Sequence, residues 1–149
     1  MNSNNPLRHF AAAFLIALLG YYVVYHAIEH RRTRKGPWVV TFRQGLDGPP
    51  SLVINQPTLH ITNVQISFAE KKLPAANTSS TFFFSQPRPV PYDVPFGKCI
   101  FMDTTFLPGT VTFQLFGHEI ELLPRVLIID HQEHPWRSGN TTLTNLDAR

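Results

Sequence analysis

The sequence predicts a mainly β protein in which one N-terminal membrane-spanning helix precedes an antiparallel β-sandwich of about eight strands, immunoglobulin-like or jelly-roll-like in broad architecture. Three observations predict it. Phe10 to Ile28, FAAAFLIALLGYYVVYHAI, runs 19 residues without Asp, Glu, Lys or Arg. From Gly36 onward, apolar residues recur at every second position instead of at helical spacing. Twelve of the thirteen prolines lie after residue 36, where they punctuate short apolar runs.

The apolar run fits a bilayer. At about 1.5 Å rise per residue it makes a helix of roughly 28 Å, close to the thickness of a hydrocarbon core. Only Arg8 precedes it, and bulky Tyr, Val and His stand where a signal peptide would need a small-x-small cleavage site, so an uncleaved signal-anchor is expected. Tyr21, Tyr22, Tyr25 and His26 gather at its C-terminal end, where amphipathic rings favour headgroups, and Arg31, Arg32, Arg34 and Lys35 follow. The expected organisation is a short tail (1–9), a span (10–30), a basic linker (31–37), a sandwich (38–136) and a flexible C-terminal tail (137–149). Lys and Arg flanking a span tend to stay cytoplasmic, which places the C-terminal domain inside; a periplasmic or extracellular domain is the alternative.

Charge is distributed unevenly. The chain has a formal charge of +3 and a pI near 9.3. Arg8, Arg31, Arg32, Arg34 and Lys35 against Glu29 alone give residues 1–35 a net +4, leaving −1 for residues 36–149. A nearly neutral folded part lacks the basic face that phosphates require, so nucleic acid is not an expected partner. The single cysteine, Cys99, excludes an intrachain disulfide, and the domain must be held by its own core.

The strands read as follows. In WVVTFR, Trp38, Val40 and Phe42 share a face; in SLVIN, Leu52 and Ile54; in TVTFQLF, Val111, Phe113 and Leu115. In TLHITNVQISF the apolar phase shifts by one at Thr62-Asn63, predicting a β-bulge or a short break. Further strands are expected at 81–85, 98–103, 119–123 and 125–130. The last of these, RVLIID, is apolar on both faces and so predicted to be central. Gly117-His118 is predicted as a tight hairpin turn.

Four groups of residues are candidate sites. His26, Glu29 and His30 form H-x-x-E-H, a zinc-peptidase spacing, but no third ligand is visible and the motif falls at the end of the span, so it reads as interfacial. Asp130, His131 and His134 in DHQEH offer adequate metal ligands beyond a strand, although spacing of three on an extended chain turns the imidazoles to opposite faces. The stiff loop Pro87, Arg88, Pro89, Val90, Pro91, Tyr92 reads either as a crossover between sheets or as a partner-binding strand. Cys99 and Met102 in KCIFMD are the fourth. One span followed by an immunoglobulin-like domain resembles, in layout, the membrane-tethered copper-delivery proteins of the cytochrome oxidase assembly type, which implies soft-metal binding. That family uses paired cysteines, whereas this sequence has one, and strand spacing puts positions 99 and 102 on opposite faces; Cys99 is therefore expected to be a buried apolar residue.

No nucleophile–base set, G-x-S-x-G elbow or phosphate-cradling loop stands out, so no catalytic residue and no cofactor is expected. The functional expectation is a non-catalytic, single-pass membrane-anchored interaction or assembly module whose partners are the bilayer and a membrane-associated protein. The alternative is a metal-binding or metal-delivering domain, or a metal-dependent hydrolase, using Asp130, His131 and His134.

Overall fold

The computed structural model describes residues 5–144, so the ends of the expected terminal tails, 1–4 and 145–149, lie outside the described residues. The chain forms two compact units, one ending at Arg34 and one beginning at Lys35.

The first unit is a single helix, α1 (Pro6–Thr33), 28 residues long. Pro6 sits in its first turn, where a missing N–H costs nothing, and His30, Arg31 and Arg32 occupy its last turn, where positive charge favours the negative end of the helix dipole. No residue of α1 is buried, and its mean hydropathy reaches 1.8, so it is long and apolar enough to cross a membrane. Arg31 and Arg32, expected in a linker, continue the helix; Arg32 is held by Glu29 one turn back (2.8 Å).

The second unit is mainly β, two sheets packed face to face, with eleven strands among the described residues where about eight were expected. They are β1 (Trp38–Gln44), β2 (Ser51–Gln56), β3 (Ile61–Phe68), β4 (Thr78–Phe84), β5 (Tyr92–Val94), β6 (Gly97–Asp103), β7 (Thr110–Leu115), β8 (His118–Leu122), β9 (Leu127–Ile129), β10 (Gln132–His134) and β11 (Gly139–Leu143). One sheet has the order β11-β3-β2-β1-β4, the other β10-β9-β8-β7-β6-β5. Strands β1 to β4 lie in the Greek-key order 4-1-2-3, the second sheet is an up-and-down meander, and all pairings are antiparallel except β11 with β3.

Alternation decides what is buried. Trp38, Val40 and Phe42 of β1, Leu52 and Ile54 of β2, and Val64, Ile66 and Phe68 of β3 face Cys99 of β6, Val111, Phe113 and Leu115 of β7, and Ile120 and Leu122 of β8 in one core. Phe42 bridges the sheets, meeting Phe113 edge-on at 6.0 Å and Phe96 at 5.7 Å. Trp38 is fully buried, donates from Nε1 to the Gly109 carbonyl (3.0 Å) and packs on Trp136 with ring centroids 5.2 Å apart.

The phase shift in the third run resolves into two devices. A 3-10 turn at Pro57–Leu59 ends in His60 with positive φ, and Asn63, also at positive φ, forms a bulge whose N–H donates to the Asn55 side chain (2.8 Å). The bulge lets Ile61 and Val64, three apart, both face inward.

Four expectations are corrected. The hairpin between β7 and β8 turns on Phe116-Gly117, both at positive φ, and His118 is the first residue of β8, buried and paired with Leu115. RVLIID is not central: β9 lies next to the sheet edge, with Ile128 only half-buried on its outer side. The expected tail after Trp136 contains β11, anchored by Ser67 donating to Asn140 Oδ1 (2.9 Å), Ser138 to the Thr62 carbonyl (2.8 Å) and Ala69 N–H to the Leu143 carbonyl (3.1 Å). Finally, a bulge between Cys99 and Phe101 pairs Cys99 with Phe113 and Met102 with Val111, so residues 99 and 102 share the inward face.

Close approach fixes one glycine. A Cβ on Gly97 would lie 2.0 Å from the Gln114 backbone oxygen across the β6–β7 ladder. Gly97→Ala is therefore expected to prise β6 from β7 and lower stability by roughly 3 kcal/mol or more, read as a fall in the urea midpoint.

Candidate functional site

The residues expected at a membrane boundary all lie on or just after α1. Tyr21, Tyr22 and Tyr25 are exposed, Tyr21 and Tyr25 stack one turn apart with centroids at 6.2 Å, and His26 meets Tyr22 edge-on at 4.4 Å. Arg34 is the C-cap of α1 and Lys35 begins the second unit. In the H-x-x-E-H motif Glu29 binds Arg32, and His26 and His30 belong to no group of convergent ligands among the described residues.

The DHQEH segment is a hairpin rather than a polar exit. Asp130 and His131 both take positive φ, the backbone of a two-residue turn of the kind whose twist suits a hairpin, and they join β9 to β10. This turn uses Asp130 up. Its carboxylate accepts from the Glu119 N–H (2.9 Å) and meets Nδ1 of buried His118 at 2.7 Å, tying the β9–β10 turn to the start of β8. His134 pairs with Leu127 on the edge strand. Asp130, His131 and His134 thus line one open depression, together with Gln114, Glu119 and Thr141, but their ligand atoms do not converge. What does converge among the described residues is Glu119, Glu121 and His131, with ligand atoms within 4.8 Å of one another and His131 Nδ1 3.8 Å from Glu119 Oε1. Two-residue spacing puts both glutamates on the outer face of β8, and the turn brings His131 beside them; sequence spacing alone could have found Glu119 and Glu121, not their meeting with His131.

The proline loop crosses between the sheets, from β4 at the edge of one to β5 at the edge of the other. Within it the Arg88 guanidinium stands 4.2 Å over the Tyr92 ring, a cation–π contact. Beside it runs a groove of about 230 Å³ lined by Phe82, Phe83, Phe84, Arg88, Tyr92 and Met102, among others. Successive strand residues point to opposite faces, so a groove touching Phe82, Phe83 and Phe84 lies along the free edge of β4. Phe84 is buried and Phe82 packs against the core, whereas Phe83 points outward and is 66% exposed.

Of the four sheet edges among the described residues, β4 is the longest. β5 is three residues long between Pro91 and Pro95, β10 is three residues long and carries exposed Glu133, and β11 has five residues and begins at Gly139. β4, TSSTFFF, has seven residues with no charge and no proline, pairs only with β1, and has an unpaired row of backbone donors and acceptors on its far side. Short strands, charges and prolines are the usual devices that keep an edge from pairing.

Met102, which lines the groove, and Cys99 each contact a neighbour through sulfur. The Tyr92 hydroxyl reaches Met102 Sδ (3.8 Å), and the Cys99 thiol donates to the Phe101 carbonyl (3.4 Å). Burial, and then the Cys99 thiol beside it, push the Tyr92 hydroxyl above the ordinary tyrosine range, with Arg88 opposing. Burial likewise pushes the Cys99 thiol up, against the smaller lowering effect of its hydrogen bonds. Cys99 is fully buried, as expected of a small apolar residue. An alkylating reagent at pH 8 is expected to leave Cys99 unmodified in the folded protein and to modify it stoichiometrically in 6 M guanidinium chloride, measured by intact mass.

The fold defines the class: an apolar N-terminal helix followed in sequence by a β-sandwich of two sheets. Compared with known proteins, the chain matches no family, no curated protein and no solved structure.

Proposed function

We propose that this chain is a non-catalytic, single-pass membrane protein whose sandwich docks a protein partner along the free edge of β4, with that domain on the cytoplasmic side. The anchor reading is supported by the length and apolarity of α1 and by the tyrosines and basic residues at its C-terminal end. Four Lys and Arg residues after the apolar run support the sidedness. One observation carries the docking reading: the longest edge strand among the described residues is uncharged and runs into an aromatic groove held by a stiff loop. Adding a partner strand there would satisfy backbone groups already exposed, and the exposed Phe83 would gain a neighbour.

The test is crosslinking co-purification of the full-length chain from membranes, comparing wild type with Phe83→Lys and with a scrambled 87–95 loop. A partner recovered with wild type and lost with both variants is expected. The same companions in all three samples would overturn docking at this edge. Protease treatment of intact cells checks the sidedness: a C-terminal tag protected until the cells are lysed is expected, and a tag cut from outside intact cells would overturn the cytoplasmic placement.

A second reading, metal binding, is favoured by the convergence of Glu119, Glu121 and His131. It predicts that Zn²⁺ titrated into the full-length protein gives a saturable heat that Glu119→Gln/Glu121→Gln abolishes. No saturable heat with wild type ends it.

A further inference from the structure

We propose that the groove beside β4 selects an extended, apolar protein segment bearing a carboxylate, with Arg88 as the residue that reads the charge; the inference rests on docking at this edge and names what docks.

Arg88 is exposed and forms no ion pair with any described residue. Its position is nevertheless defined. Pro87 and Pro89 stiffen the backbone on either side, and the Tyr92 ring lies 4.2 Å beneath the guanidinium. The contact with the ring uses none of the guanidinium N–H donors, and these donors are the part that grips a carboxylate through two parallel hydrogen bonds. A guanidinium held this way loses less side-chain freedom on binding than a mobile one.

The remaining lining is uncharged. Phe82, Phe83, Phe84, Tyr92 and Met102 supply aromatic and soft apolar surface, and Ser85 and Gln86 add polar but neutral groups. Arg88 is therefore the only formal charge among the described residues that line the groove, and an occupant with apolar side chains and one negative group is its electrostatic complement. Backbone pairing requires that occupant to be extended, and the two-residue period of a strand would send alternate side chains towards the aromatic lining. A second lysine- or arginine-bearing segment would meet like charge at Arg88. The carboxylate can come from an Asp or Glu side chain or from a chain terminus, and the experiment separates the two.

Full-length protein in nanodiscs is used to select from a random heptapeptide library, and the enriched peptides are resynthesised with free and with amidated C-termini. Alternating apolar residues with Asp or Glu at one position, binding in both forms, assign the charge to a side chain; binding that requires the free terminus assigns it to the chain end. In either case Arg88→Gln is expected to weaken binding about tenfold or more and to remove the preference for a carboxylate, since charge-assisted hydrogen bonds contribute most here. Arg88 is exposed, so the variant is expected to keep the wild-type melting temperature. Peptides that bind Arg88→Gln as tightly as wild type, or that show no carboxylate preference, overturn the inference. If such peptides still lose binding in Phe83→Lys, edge docking stands without the charge reading. If no peptide is enriched, both fall.

Discussion

Trp38→Ala is expected to cost about 3–5 kcal/mol and to lower the melting temperature of the sandwich by roughly 12–20 °C. Trp38 is the largest fully buried side chain, and removing it does three things at once. It leaves a cavity between the sheets, because its neighbours are strands whose spacing is fixed by their ladders. It orphans the Gly109 carbonyl, which accepts the indole N–H at 3.0 Å. It also removes the ring against which Trp136 packs, loosening the segment that leads from β10 to β11. Gly109 itself has little freedom to compensate: its φ is +67° and a Cβ there would collide with the Asp103 carbonyl oxygen. Trp38→Phe separates the effects. It keeps most of the packing and loses the hydrogen bond, and is expected to cost about half as much, by urea titration of both variants. Equal losses in the two would mean that the Gly109 contact, not the cavity, dominates.

Gln56→Leu is expected to cost about 2–4 kcal/mol although the shapes are similar and the new residue is more apolar. Gln56 is completely buried at the end of β2. Its amide NH2 donates to the carbonyls of Lys35 (2.7 Å) and Gly36 (2.9 Å), while its Oε1 accepts from the Leu59 N–H (3.2 Å). One side chain thus fastens the entry of the sandwich to the turn that follows β2. Leucine would leave those carbonyls and that N–H without partners, and buried unpaired groups cost more than the hydrophobic gain returns. Gln56→Glu is the sharper test. A carboxylate would face two carbonyl oxygens in a dry site, so it is expected to be worse than leucine at pH 7; a glutamate variant more stable than the leucine one would show that packing, not donation, is what position 56 supplies. Loss of the clamp should also expose the Lys35-Gly36 bond, seen as faster tryptic cleavage in both variants.

Neither residue's role was equally open to sequence reasoning. Trp38 declares itself by alternation with Val40 and Phe42, the same signal that delivers β1, β2 and β7. Gln56 carries no such signal, because its partners are main-chain carbonyls about twenty residues away in sequence. The helix was legible for a plain reason: residues 10–30 all fall within α1, and the apolar run at its centre holds no proline or charge to interrupt it. Strands β5 and β10 were not, because three residues are too few to establish a period, and β11 was not, because GNTTL is mostly polar and forms by pairing with β3 rather than by burying itself. The Asp130-His131 turn was missed for lack of a glycine, and with it the bond that commits Asp130 to His118. The stiff loop was visible in its prolines. That it flanks a free edge was not, because strand order is a property of the sheet and leaves no trace in the alternation of a single strand.

The pairing of β11 with β3 also sets a timetable. Roughly 70 residues separate the end of β3 from the start of β11, and a ribosome adding about 5–20 residues per second needs about 4–14 s to make them. From the completion of β4 to the end of that interval the first sheet has two bare flanks, β3 and β4, and only the arrival of Gly139–Leu143 covers one of them. A nascent chain stalled near Trp136 would therefore be stickier than either a shorter one lacking the sheet or the finished protein.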